Sequence, residues 1–183
     1  MLLTELHDRY AHLARVDPDA DPLSVLYYRA DIAGDQSAEP SLRITAWTRN
    51  VHALERFIQW HGRHPRENRR VRVDPLEQRL ADWVRFQRRA ATREGHCEYQ
   101  RLRLETIHGW RWSPVNENWM ANADAYRVFL GVHQRPPRYR AADLAERSLA
   151  AWAAKQRLRY RRQSRFSEDE IQILTRLKII SSL

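Results

Sequence analysis

Along the chain, apolar residues recur at spacings of three and four rather than two. Trp47, Val51, Leu54 and Ile58 follow one another at intervals of four, three and four, the period of one apolar helical face. Alternation of the kind that marks a half-buried strand is weak throughout, so the pattern predicts an all-α chain. The front of the chain predicts a helix over residues 2–15, then the turn-rich "VDPDADP", then a second helix around 23–33. "GDQSAEPS" reads as a linker, because Gly, Ser and Pro punctuate rather than propagate a helix.

Beyond the linker the pattern repeats. Asp74, Glu77, Leu80, Ala81, Trp83, Gln87 and Arg88 meet Asp143, Glu146, Leu149, Ala150, Trp152, Gln156 and Arg157 at an offset of 69 residues without a gap. Upstream, Trp47, Phe57, His61 and Pro65 pair with Trp119, Phe129, His133 and Pro137 at an offset of 72. The three-residue difference is assigned to the loop between, and a period of this size marks a duplicated structural unit. Asp74 with Glu77 and Asp143 with Glu146 read as capping boxes, with Pro75 at the favoured first helical position. A third helix carries Leu102, Leu104 and Ile107; its counterpart opens on Ser167 and Glu170 ahead of Ile171, Leu174 and Leu177. The expected architecture is two tandem small three-helix bundles, residues 45–116 and 117–183, joined across "SPVNEN" and preceded by a short helical segment, residues 1–44.

Charge sharpens this division. The 183-residue chain carries 32 Lys+Arg against 23 Asp+Glu, a formal charge of +9, yet residues 1–44 hold 4 cations and 8 anions and so carry −4, leaving +13 to the rest. Such a surplus favours polyanionic partners through counterion release and steering. All but Lys155 and Lys178 of the cations are arginine, the side chain suited to forked phosphate contacts, although a G+C-rich genome produces the same bias. Cys97 is the only cysteine, which excludes an intrachain disulfide framework and suits a reducing cytosol. With no leader pattern and no apolar run of about 20 residues, a soluble cytoplasmic protein with no membrane partner is expected.

Each repeat resembles the helicase-associated domain family, a short all-α module often found in bacteria beside a superfamily 2 helicase core. The resemblance rests on an aromatic-led first helix (Trp47, Phe57), the His61 to Pro65 stretch, L-x-x-W-x-x-x-Q-R over Leu80 to Arg88, and a Gly-aromatic-x-Trp closure at Gly109, Trp110 and Trp112. It covers about 137 of 183 residues. The second copy departs from it, with Gln134 where the first has Gly62 and "LKIISSL" in place of the closure. What the resemblance implies is nucleic-acid binding. No G-x-x-x-x-G-K-[ST] phosphate loop is present, so the chain itself is no helicase motor.

Seven large aromatics, Trp47, Phe57, Trp83, Trp110, Trp119, Phe129 and Trp152, are expected as structural core, with base stacking the competing role for Trp83 and Trp152. The candidate nucleic-acid contacts are Arg85, Gln87, Arg88 and Arg89 at the end of one helix. Their counterparts are Lys155, Gln156, Arg157, Arg159, Arg161 and Arg162. Gln pairs a donor with an acceptor for a base edge, and Arg forks to guanine or phosphate. A solvated charged face is the plainer reading of the same residues. His52, His61 and His64 lack the cysteine or acid that would complete a metal set, and "DPDADP" fails as a calcium loop because Pro22 and Tyr28 stand where Gly and Glu are needed. Cys97 reads as a small buried hydrophobe.

The expectation is a non-enzymatic nucleic-acid-binding protein without cofactor or metal, for DNA before RNA. Residues 1–44 are expected to bind a protein partner. The rival reading is an interaction adaptor docking on a protein or ribonucleoprotein machine such as RNA polymerase, a helicase or a ribosome.

Overall fold

The computed structural model describes residues 1–17, 19–33, 41–66 and 74–181. Pro18 of "VDPDADP", the expected linker apart from Ser41, the loop at 67–73 and the last two residues lie outside them. Among the described residues the chain is helical and contains no strand. It divides into two compact units, Met1–Trp112 and Ser113–Leu183.

Unit 1 contains α1 (Leu3–Val16), α2 (Pro22–Tyr28) running into a π-helical turn (Arg29–Ala33), α3 (Leu42–His61), α4 (Pro75–Gln87), α5 (Ala90–Glu94) and α6 (Glu98–Glu105). Local chemistry sets several of these bounds. Asp21 caps α2 by accepting from the Leu23 and Ser24 amides, with Pro22 at the first helical position, where its missing N–H costs nothing. Ser41 caps α3, and Gly62 ends it at φ +64°, a left-handed conformation that glycine adopts without strain.

The acidic front segment is not an appendage. Leu6 and Tyr10 of α1 and Tyr27 and Tyr28 of α2 are buried in one cluster with Trp47, Val51, Leu54, Leu80, Val84, Tyr99 and Leu104. Tyr10 meets Tyr99 edge-on at 4.9 Å, and Tyr27 meets Trp47 at 5.2 Å. The domain boundary therefore falls after Trp112, where residues 1–44 had been expected to stand apart from a module at 45–116.

Part of the acidic charge is internal as well. The Asp31 carboxylate is fully buried on the π-helical turn, and it accepts from His52 Nε2 (2.5 Å), Tyr99 OH (2.9 Å) and Arg103 Nε (2.7 Å). The same arginine forks to Glu55 at 2.7 and 2.8 Å. Burial disfavours the Arg103 cation, but the Glu55 and Asp31 carboxylates outweigh it and raise its pKa; burial and Asp31 push the Tyr99 hydroxyl up. This ionic knot ties α3 and α6 to the front segment. Asp31 is thus a structural counter-ion.

Unit 2 contains α7 (Pro114–His133), α8 (Leu144–Arg161) and α9 (Glu168–Arg176). Its core joins Trp119, Ala123, Tyr126, Ala153, Leu174, Leu177, Ile179 and Ile180. Ser167 and Glu170 form the expected capping box of α9. Lys178 then turns left-handed at φ 53°, and the Ile179 amide bonds back to the Leu174 carbonyl. That turn folds Ile179 and Ile180 inward, so unit 2 packs isoleucines where unit 1 has tryptophans.

Among the expected core aromatics, Trp47, Phe57 and Trp119 are buried, and Trp83, Trp110 and Trp152 are half-buried against their clusters. Phe129 is different. It is half-buried outside the second cluster, its ring stacked on His133 and covered by Arg135.

Candidate nucleic-acid interface

The repeated residues build the same framework twice. Asp74 accepts from the Leu76 and Glu77 amides, and Asp143 from those of Ala145 and Glu146. Neither glutamate completes a capping box. Glu77 is gripped by Arg63 at 2.6 and 3.2 Å and by the Arg66 amide at 2.9 Å. Glu146 is held in the same way, by Arg135 at 2.5 and 3.2 Å and the Arg138 amide at 2.8 Å. In each copy the arginine fork holds the carboxyl at a pKa of about 2. The preceding helix end is duplicated too, with Phe57 on His61 and Phe129 on His133 both at 4.2 Å. Gln134 takes the left-handed conformation of Gly62, at φ 52°.

Gln87 and Gln156, expected to touch bases, are built into this framework through their amide oxygens. They are 4% and 2% exposed. The Trp47 indole donates to Gln87 Oε1 at 3.3 Å, and Trp119 to Gln156 Oε1 at 3.2 Å. An indole N–H only donates, so the atom facing Trp47 is the amide oxygen. His96 Nε2 lies 2.8 Å from that oxygen and must therefore carry the hydrogen. Burial, then the nearby Arg43 cation, lowers the His96 pKa and keeps the ring neutral. In unit 2 Arg159 is the second donor, 2.9 Å from Gln156 Oε1.

The other predicted contacts divide by exposure. Arg88 is half-buried with its guanidinium 4.9 Å from the Trp110 centroid. Arg157 is half-buried near Tyr126, where burial raises the hydroxyl pKa and the Arg157 cation opposes that rise. Arg159 lies over Phe166 at 4.2 Å and also donates to the Arg165 carbonyl. These three are framework side chains more than outward-facing ones. Arg85 is exposed and paired with Asp82 at 2.5 Å. Arg89, Lys155, Arg161 and Arg162 are exposed, and among the described residues none has a carboxylate within ion-pair reach.

A further basic stripe was missed in the sequence. Arg49, His52, Arg56, Gln59 and the 86%-exposed Trp60 follow helical spacing along α3. Arg49, His52, Arg56 and Gln59 line a groove of about 670 Å3 together with Ala30, Thr48 and Glu55. Glu55 faces this groove already engaged by Arg103, so the arginines dominate its charge. Spacings of three, four, three and one on the side of α3 away from Trp47 and Leu54 were the available signal.

His64 donates its Nε2 hydrogen to the His108 carbonyl at 2.7 Å, and His52 is committed to Asp31. Among the described residues no three His, Cys, Asp or Glu side chains converge as a metal set, and no helix is long and apolar enough to cross a membrane. Comparison with protein-family models, curated proteins and solved structures returns no match.

Proposed function

We propose that this protein binds nucleic acid without catalysing a reaction, duplex DNA before RNA, through a helicase-associated-like trihelical module in each of its two units. The observation that carries the reading is the set of exposed cations Arg89, Lys155, Arg161 and Arg162, on or just past the repeated helices and, among the described residues, without a carboxylate in ion-pair reach. Exposed guanidinium and ammonium groups in that state are hydrated and ready to exchange counterions for phosphates. The α3 stripe adds Arg49 and Arg56 beside Trp60, the mixture of cation and aromatic that suits a nucleic-acid strand.

Anisotropy titrations of a short labelled DNA duplex, repeated across salt concentrations, test this reading. Affinity should fall linearly on a log-log plot, and the slope should shrink by about one for each phosphate contact removed in Arg161→Ala plus Arg162→Ala. Binding that ignores salt, or that is unchanged in that double variant and in Arg49→Ala plus Arg56→Ala, overturns it. The adaptor reading has its own supporting feature, the exposed Val128 and Val132 on α7. Partners that stay bound after nuclease treatment, and leave in Val128→Asp plus Val132→Asp, favour it instead.

A further inference from the structure

Unit 1 holds a cavity of about 420 Å3, within the range of about 300–1,000 Å3 typical of small-ligand sites. Four aromatic rings, Tyr27, Trp47, Trp83 and Phe86, line it together with Arg43 and Gln87. Tyr27 and Trp47 are fixed against each other in the core. Phe86 is 48% exposed, and the Arg89 guanidinium lies 5.5 Å from its ring centroid. Gln87 spends its oxygen on both Trp47 and His96, so what its amide has left to offer a ligand is N–H. The cavity therefore presents aromatic faces, the Gln87 amide N–H beside the polar edges of Asn50, His96 and Gln100, and cations at exposed positions. That combination selects a flat heteroaromatic ring with an acceptor on its edge, linked to an anion.

We infer that this cavity takes one unpaired nucleobase of a bound strand. The ring packs against Trp83 and Phe86, an edge acceptor meets the Gln87 amide, and the attached phosphate lies by Arg43 and Arg89. Base stacking on aromatic side chains supplies the energy, and Gln87 acts through its one uncommitted group. The second unit does not repeat the device. At the repeat offsets, Val115 stands for Arg43 and Lys155 for Phe86, while Arg159, over Phe166, fills the role of His96. The inference rests on the nucleic-acid-binding reading and narrows it to a base-capturing unit 1 beside a backbone-binding unit 2.

The test compares a DNA duplex carrying one bulged adenine with the fully paired duplex of the same sequence, at equal salt and with the full chain. The bulged duplex should bind about tenfold tighter, the scale of one base stacked on an aromatic side chain. Phe86→Ala and Arg43→Ala, both at exposed positions, should each bring the ratio of the two affinities close to one. Arg161→Ala should weaken both duplexes and leave the ratio in place. Equal affinity of the unaltered protein for both duplexes overturns the base pocket while leaving nucleic-acid binding intact. A preference that survives both Phe86→Ala and Arg43→Ala also overturns it, by locating the preference elsewhere. Failure to bind either duplex overturns the underlying reading as well.

Discussion

The two units use one framework and surround it differently. Each has an Asp-capped helix, an Arg–Glu fork at about pKa 2 and a Trp–Gln hydrogen bond. Around the first copy the chain adds α1, α2 and the π-helical turn, with Asp31, His52, Glu55 and Arg103 knotted beneath them. At the positions matching His52 and Glu55 the second copy has Asp124 and Arg127, which are exposed and pair with each other at 3.4 Å. Ile173 stands for Arg103 by the register of the two capped helices. A buried ionic network thus belongs only to the unit that has extra helices to cover it. Burying charge is tolerable only when every partner is present; the second copy lacks the segment that holds Asp31, and all three of its partners' counterparts differ.

The largest expected asymmetry comes from cutting that knot. Arg103→Met leaves the buried Asp31 carboxylate with only its His52 and Tyr99 hydrogen bonds, and losing one partner of a buried pair costs about 3–5 kcal/mol. Amide hydrogen exchange should rise across α3 and α6, with the α8 and α9 amides little changed; uniform destabilisation would erase the contrast between units. Next is the shared glutamine. Gln87→Leu leaves the Trp47 indole and His96 without their acceptor, at about 1–3 kcal/mol for a buried unsatisfied group. Gln156→Leu should cost less, since the half-buried Arg159 keeps the Arg165 carbonyl as an acceptor, whereas the His96 Nε2 hydrogen loses the Gln87 oxygen. Denaturant unfolding of both variants ranks them.

Acid separates the units by pH window. Burial lowers the pKa of His64 and of His96, the cations of Arg88 and Arg43 adding to it, and the His108 carbonyl opposes it at His64. Folding disfavours the cation of both rings, so unfolding takes up protons as pH drops below about 6.5, and unit 1 should lose stability as pH falls from there toward the lowered folded values. At the repeat offsets unit 2 has Pro136 and Arg165 instead. The forked Glu77 and Glu146 have pKa values lowered from 4.5 to about 2. Their stabilisation is complete above about pH 4.5 and is lost in both units as pH falls toward 2. Hydrogen exchange corrected for intrinsic rates should show α4 and α6 loosening before α8 and α9. The smallest effect is conformational: Gln134→Gly should stabilise unit 2 by about 1 kcal/mol by relieving a left-handed non-glycine residue, and Gly62→Gln should cost unit 1 about as much. Thermal melts of the pair check both signs.

Legibility followed the range of the interaction. The all-α reading, the caps at Asp74, Asp143 and Ser167, and the repeat offsets were readable because each depends on residues within a turn or on pattern alone. The framework role of Gln87 was not, since its partner Trp47 lies forty residues away and one helical face holds inward and outward polar groups alike. The packing of Arg88 and Arg159 was hidden for the same reason: their aromatic partners come from another segment or the following turn. Trp60 and its arginines lay in plain view on α3, on the face left over once the apolar stripe had been read.

By itself the sequence determined that the chain is helical, where the helices capped by Asp74, Asp143 and Ser167 start, that its pattern repeats, and how cationic the whole must be, because capping, periodicity and net charge are local or additive. Tertiary structure decided which charges face inward, that residues 1–33 complete the first core, and which cations stay exposed. Those outcomes depend on partners distant in the chain, and the cost of burying a polar group is settled only when that partner is in place.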